Sequence, residues 1–243
     1  MNVQTEFERC QAFINCQLQA PRTKAGADPV PGRWRAITIS RQTGCGAKVL
    51  ADRLADYLQN HAGREDRPWM VFDRNLVQRV LEDHNLPATL ASYMREDRTS
   101  ELDDIMEELF ELHPPTWLLV RKTSETVLHL ATLGNAILIG RGSNIITSKL
   151  PFVFHIRLIG SIGRRVERLR QERPQGEKSA LKFIRSEDRA RTRYLKKYFG
   201  KNADDPMHYH LVVNTDIVSP KTAATMIGEA MLKGENTTAI QQF

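Results

Sequence analysis

Five short runs of apolar and β-branched residues lie at 36–40, 69–72, 136–139, 152–158 and 211–213. Between them the apolar positions recur every three to four residues. Runs of the first kind predict buried strands, and the 3.6-residue period predicts helices. Helices are expected at 74–85, 90–112, 116–133, 143–149, 161–172, 180–198 and 219–233. Another follows the first strand directly, where Val49, Leu50, Leu54 and Leu58 share a face. Short strands without polar alternation, interleaved with helices, predict a parallel α/β sheet covered on both faces. His113-Pro114-Pro115 interrupts a long helical stretch. Residues 88–134 place two helices between consecutive strands, which reads as a helical insertion beside the sheet. At the other end, Phe7, Cys10, Phe13 and Ile14 predict a short helix, and 21–32 is a Pro/Gly/Lys-containing linker. The expected organisation is therefore 1–35 as helix and linker, and 36–243 as the main domain.

Composition changes this picture little. The 243 residues are 41% apolar, 26% charged and 7% aromatic, an ordinary globular balance that excludes disordered and collagen-like chains. No uncharged apolar run approaches the roughly 18 residues of a membrane span, and the N-terminus lacks the layout of a secretory signal. Cys10, Cys16 and Cys45 cannot all pair and fit no zinc spacing, so a reducing cytoplasm is the expected location.

Charge is more informative than composition because it is segregated. The net charge of +6 conceals a stretch, 157–201, with 15 Lys/Arg against five Asp/Glu. A second stretch, 96–111, has eight carboxylates and one arginine. A concentrated cationic segment suits phosphate, although most such side chains simply solvate a helix face.

Four constellations could carry chemistry. In Ser40-Arg41-Gln42-Thr43-Gly44-Cys45-Gly46-Ala47-Lys48 a glycine turn joins strand to helix. Such a turn can aim backbone N–H groups at one phosphate, or can merely pack helix against strand. The P-loop pattern G-x-x-x-x-G-K-[ST] is absent: Ala47 stands at its lysine, with Lys48 one place late and no Ser/Thr following. Asp73, at a strand end, can face a ligand crevice or cap the following helix. Arg141, between Gly140 and Gly142, follows a third strand and can present its fork to an anion. In the basic stretch, Arg164 with Arg168, and Arg189 with Arg193, share helix faces, whereas Arg165 and Arg191 are expected in solvent. Two arginine helices joined through 173–177 could close as a flap over a triphosphate. Cys45 is expected as a small loop-filling residue, and His208-Tyr209-His210 as a strand cap rather than a metal site.

In this order and spacing the stretches resemble the cytidylate kinase-like family. The resemblance runs from about 36 to 231, with 39–46, 72–74, 139–142, 188–193, Tyr198-Phe199-Gly200-Lys201, Asp205-Pro206, Tyr209 and Val213-Asn214-Thr215 as its anchors. It implies a P-loop NTPase-type five-stranded parallel sheet with helices on both faces. It also implies an acceptor-binding insertion at 88–134, an arginine-rich lid at 170–200, and transfer of the ATP γ-phosphoryl group to CMP or dCMP. Mg²⁺ would arrive with the nucleotide, and no resident metal site is implied. On this resemblance Gly44, Cys45, Gly46, Ala47 and Lys48 would cradle the donor, with Lys48 or Arg41 supplying the missing lysine's charge. Asp73, Arg141, Asp188, Arg189 and Arg191 would meet the acceptor. Lys48, Arg141, Arg164 and Arg168 would stabilise the transferring charge. The altered loop keeps a second reading open, a non-catalytic nucleotide sensor. Nucleic acid ranks last as a partner, because almost no aromatic platform accompanies the arginines. An exposed apolar N-terminal helix would favour a homodimer contact.

Overall fold

The computed structural model describes residues 3–19, 34–61, 68–82 and 118–233, together with Leu102, Ile105, Met106 and Leu109, which are helical. Most of the helix expected at 90–112 and the 113–115 breaker lie outside the described residues.

Helix α1 (Val3–Gln19) turns Cys10, Phe13, Ile14 and Gln17 inward, the 3–4 spacing of one stripe. Strand β1 (Ala36–Arg41) follows, then α2 (Ala47–His61), β2 (Met70–Phe72), α3 (Arg74–Glu82) and α4 (Leu118–Leu133). The chain continues through β3 (Ala136–Ile139), α5 (Ser143–Ile146), β4 (Val153–Ile159) and α6 (Ile162–Glu172). It ends in α7 (Glu177–Phe199), β5 (Leu211–Asn214) and α8 (Pro220–Lys233).

The strands form one sheet in the order β2-β3-β1-β4-β5, every pair parallel. β1 is central, with Ile37 registered against Ile137 on one side and Phe154 on the other. Its burial on both faces explains why it reads as a continuous apolar and β-branched run. On one face Leu50, Leu54 and Leu58 of α2 and Ile227 of α8 cover Ile37, Ile39 and Ile156. On the other, Leu76 and Val80 of α3 and Val127, Leu128 and Leu130 of α4 cover Phe72 and Leu138. The result is a five-stranded, all-parallel sheet with helices on both faces, the arrangement that the resemblance implied.

The N-terminal helix belongs to this second layer. Phe13 meets Phe72 edge to face at 5.6 Å, and Cys10 and Ile14 are fully buried in the same cluster. The apolar stripe that the sequence offered to a dimer partner is thus covered by the chain itself. Among the described residues no helix is long and apolar enough to cross a membrane.

Within β4, His155 is registered against Thr38 of β1 and buried, with Nδ1 2.8 Å from Thr38 Oγ1. Its backbone N–H donates to His210 Nδ1 at 2.9 Å, and the His210 ring packs against Trp34 and Phe154. Burial, assisted by His210, pushes the His155 imidazole down to about 3, and burial also lowers His210. Both stay neutral in the fold, whereas an unfolded imidazole takes a proton near pH 6.5. Their contribution to stability is therefore complete above pH 6.5 and is lost as the pH falls towards 3. Melting temperature should drop between pH 7 and pH 4, and the drop should be shallower for His155→Gln. Parallel declines in the two proteins would show that His155 is not responsible.

Candidate active site

All the strands end on one side, and the loops beyond those carboxyl ends build the site. β1 gives way to Gln42-Thr43-Gly44-Cys45-Gly46 and then to the first turn of α2. Gly44 holds φ +81°, and a Cβ there would approach the Arg165 carbonyl oxygen to 2.6 Å. Only glycine meets both demands, so the α6 backbone can lie directly against the turn. Gln42 ties the turn to β4 by donating its N–H to Leu158 O (3.0 Å) and accepting the Gly160 N–H at Oε1 (3.0 Å). Among the described residues the N–H groups of Gly44, Gly46 and Ala47 have no protein acceptor. Amides of this kind at a helix N-terminus are what an anion requires. Cys45 is buried, and burial pushes its thiol up against the opposing pull of Thr215, Arg165 and Arg168. It fills the turn and is not set up as a nucleophile.

Helix α7 lies over this turn through a single carboxylate. Asp188 Oδ1 accepts from Thr43 N (2.8 Å), Thr43 Oγ1 (2.7 Å) and Arg191 (2.7 Å), while Oδ2 accepts from Arg165 at 2.6 Å. Arg191 also donates to Thr43 Oγ1. Burial alone would raise the Asp188 carboxyl, but these hydrogen bonds outweigh it and hold it below the ordinary range. On α6, Arg168 reaches Thr215 Oγ1 at 3.0 Å and also bonds Thr215 O, and it lies 3.5 Å from Gly44 O. The turn is therefore braced from both arginine helices.

Beside the turn lies a cleft of about 250 Å³, lined by Arg41, Arg74, Arg141 and Arg191 with Glu187 and Tyr194. The four arginines come from four different places: the end of β1, the start of α3, the loop after β3, and α7. Asp73 caps α3, accepting the N–H groups of Asn75 and Leu76 at 2.9 Å each, and so aims Arg74 at the cleft. Arg141 is held with φ 57°, between Gly140 at φ 80° and Gly142 at φ 74°. Gly140 has a second reason to be glycine: a Cβ there would collide with the Arg41 guanidinium. Burial, reinforced by Arg191, lowers Arg41 to about 10. Burial and the neighbouring Arg74 lower Arg141 as well. Desolvated like charges converging on one cleft cost free energy until an anion enters.

The cytidylate kinase-like family matches this chain over residues 36–217, three quarters of its length. The chain belongs to the cytidylate kinase-like family. The crystal structure of an uncharacterized protein from Eubacterium ventriosum ATCC 27560 is similar, with a TM-score of 0.60 at 18% identity. That alignment covers 82% of this chain and 98% of the other. A shikimate kinase from Bacteroides thetaiotaomicron gives 0.42 at 13% identity, over 82% and 98% of the two chains. No curated protein matches the sequence. Family membership makes the function kinase-like and nucleotide-directed.

Within this family member the expected site residues divide. Arg41, Arg141 and Arg191 converge on the cleft, and Gly44, Cys45, Gly46 and Ala47 form the turn with Asp188 and Arg168 against it. Asp73 stands behind Arg74 as its helix cap. Three residues point elsewhere. Lys48 bonds Asp52 at 2.8 Å, with half its side chain in solvent. Arg164 pairs with Glu167 at 3.2 Å and is 63% exposed. Arg189 is exposed, its Nε bonded to the Arg185 carbonyl.

Arg165 and Arg191, expected in solvent, are instead drawn inward to Asp188. The signal for this was present in the chain. Arg165 lies four residues before Leu169, and Ile184, Asp188, Arg191 and Leu195 follow one another at spacings of 4, 3 and 4. Each arginine therefore sits on a buried stripe, and only its charge suggested otherwise. Arg74, part of the 72–74 anchor but given no role of its own there, and Tyr194 complete the cleft. Among the described residues no cluster of His, Cys, Asp or Glu could hold a metal ion.

Proposed function

We propose that the protein transfers the γ-phosphoryl group of ATP to a nucleoside monophosphate, with CMP or dCMP as acceptor, giving the diphosphate and ADP. The observation that carries this reading is the contiguity of the glycine turn and the arginine cleft. Arg191 lines the cleft and bonds Thr43 of the turn, so one side chain spans both anion sites. The turn's free amides suit donor phosphates, and the cleft's four guanidiniums suit the acceptor phosphate together with the phosphoryl group that reaches it. An acceptor phosphate oxygen attacks the γ-phosphorus as the bond to the β–γ bridging oxygen breaks, and that oxygen leaves on ADP. A phosphate monoester with a second pKa near 6 is already ionised at neutral pH, so no general base is needed. The protein's part is alignment, charge stabilisation and exclusion of water by the α6–α7 arginine helices. Mg²⁺ enters as part of the MgATP substrate. Val49, which stands where cytidylate kinases carry their Mg²⁺-holding hydroxyl, offers it no ligand, and its coordination would come from the nucleotide and water.

Incubation with ATP and Mg²⁺ across CMP, dCMP, UMP, AMP and GMP tests the proposal. ADP release should exceed the no-acceptor background at least tenfold with CMP or dCMP. ATP binding without acceptor-dependent release would favour the second reading, a nucleotide-binding sensor. One contact favours that reading: Asp188 already occupies the Thr43 amide, one donor of the turn. A polyanion-binding surface is a poorer account of the basic stretch, since Arg157, Arg165, Arg168 and Arg191 are engaged internally.

A further inference from the structure

In a P-loop, backbone amides hold the phosphates and a lysine reaches the β- and γ-phosphates, where charge gathers during transfer. Here position 47 is alanine, so that charge must come from elsewhere or be missing. Two cations in the loop segment could supply it, Lys48 and Arg41, and the structure separates them.

Lys48 follows position 47 on α2, so its side chain is rotated by about 100° from that of residue 47. The ammonium runs along the helix to Asp52, one turn further on, and lies half in water. An exposed pair of this kind is weak, but its direction is away from the turn.

Arg41 is placed differently. It is the last residue of β1, immediately before the turn, and its guanidinium occupies the space that a Cβ on Gly140 would need. The side chain therefore lies in the seam between the ends of β1 and β3, the two neighbouring strands that feed the glycine turn and the Arg141 loop. It faces the same cleft as Arg74, Arg141 and Arg191, and Arg191 in turn touches the glycine turn.

We propose that Arg41 is the catalytic cation at the transferred phosphoryl group, supplying from the end of β1 the charge that a P-loop lysine supplies from the first turn of the helix. This assignment rests on the kinase reading above. It accounts for a fourth arginine in a cleft whose acceptor carries one phosphate: Arg74 and Arg141 hold the acceptor, while Arg41 and Arg191 face the group in flight. The phosphoryl group passes from the bridging oxygen of ATP to an acceptor oxygen, and Arg41 exchanges no proton with it. Its charge is positioned before substrate arrives, by packing against Gly140 and by the attraction of Asp73 and Glu187, so little reorganisation is needed at the moment of transfer. Burial, then Arg191, lowers the guanidinium to about 10, so it remains cationic at neutral pH and is relieved when an anion binds.

The test uses the full chain with Arg41→Ala, Arg41→Lys and Lys48→Ala, assayed with the best acceptor. A second measurement compares the affinity for ADP alone with that for ADP, aluminium fluoride and CMP together, a mimic of the phosphoryl group in transfer. Arg41→Ala should lower kcat by about 10²–10³-fold and abolish the extra affinity for the mimic, while leaving the affinity for ADP within about threefold. Arg41→Lys should recover part of both losses, and Lys48→Ala should stay within about threefold of wild type. Wild-type turnover with Arg41→Ala unaffected, or with Lys48→Ala carrying the large loss, would overturn the assignment alone. Equal losses in ADP and mimic affinity would also overturn it, since that would make Arg41 a general support of the site. Wild type with neither turnover nor added affinity for the mimic would overturn the kinase reading, and the assignment with it.

Discussion

Replacing Arg141 by glycine should lower turnover by about 10²–10³-fold while the protein remains as stable as wild type or slightly more so. The substitution suits the site because Arg141 is a non-glycine residue at φ 57°. Glycine adopts that conformation without the steric cost that a Cβ imposes, roughly 1–2 kcal/mol. Loss of activity could then not be blamed on the loop. The missing guanidinium comes from a cleft where burial and Arg74 already lower Arg141, and where an anion gains most from a poorly hydrated cation. Acceptor KM should rise together with the fall in kcat, because the side chain would meet the acceptor phosphate before and during transfer. A thermal melt beside steady-state kinetics checks both parts. Turnover within threefold of wild type would remove Arg141 from the reaction.

Asp188→Ala should be the most destabilising single change around the site. Its carboxylate is the common acceptor for Thr43, Arg165 and Arg191, and the Arg165 side chain is only 10% exposed. Removing one partner of a buried pair strands the other charge, at a cost of about 3–5 kcal/mol when burial is complete. Asp188 itself is 28% exposed, so about 2–3 kcal/mol is the better expectation. In a chain of this size that corresponds to a melting point lower by roughly 4–12 °C. Asp188→Asn keeps an acceptor oxygen without the charge and should fall between. The folded carboxyl titrates below its ordinary 3.8. Its contribution is therefore present above that value and is lost in stronger acid. Hydrogen exchange should show α7 loosened together with the 42–46 turn. A melting temperature within 1 °C of wild type would mean that Arg165 finds other support.

The sequence made the scaffold legible where one physical cause dominates. β1 and β3 are buried on both faces, so Ala36-Ile37-Thr38-Ile39 and Ala136-Ile137-Leu138-Ile139 read as continuous strands, and they pair in register. α7 extends three residues further at its start than expected, to Glu177, where no apolar periodicity marked it. The site was less legible because charge and position gave opposite signals. Arg165 and Arg191 lie on buried stripes, but an arginine without a visible partner reads as solvated, and their partner Asp188 is 23 residues from one and three from the other. The separation of Arg41 from Lys48 depends on Gly140, which lies far along the chain and meets Arg41 only through the pairing of β1 with β3. Local spacing contains no trace of that contact. The apolar stripe of α1 was equally readable, but its destination on Phe72 was not.

Arg191 has one guanidinium and two addresses, the Thr43 hydroxyl on the turn and the wall of the cleft. An anion arriving in either place changes what that side chain can offer in the other. In the proposed reaction the two substrates would therefore be energetically linked, and the linkage would run equally in both directions: whatever factor the acceptor applied to donor affinity, the donor would apply to acceptor affinity. Synergy between two nucleotides would then be a property of one arginine, and Arg191→Lys, with a single point charge in place of the fork, should make their binding independent.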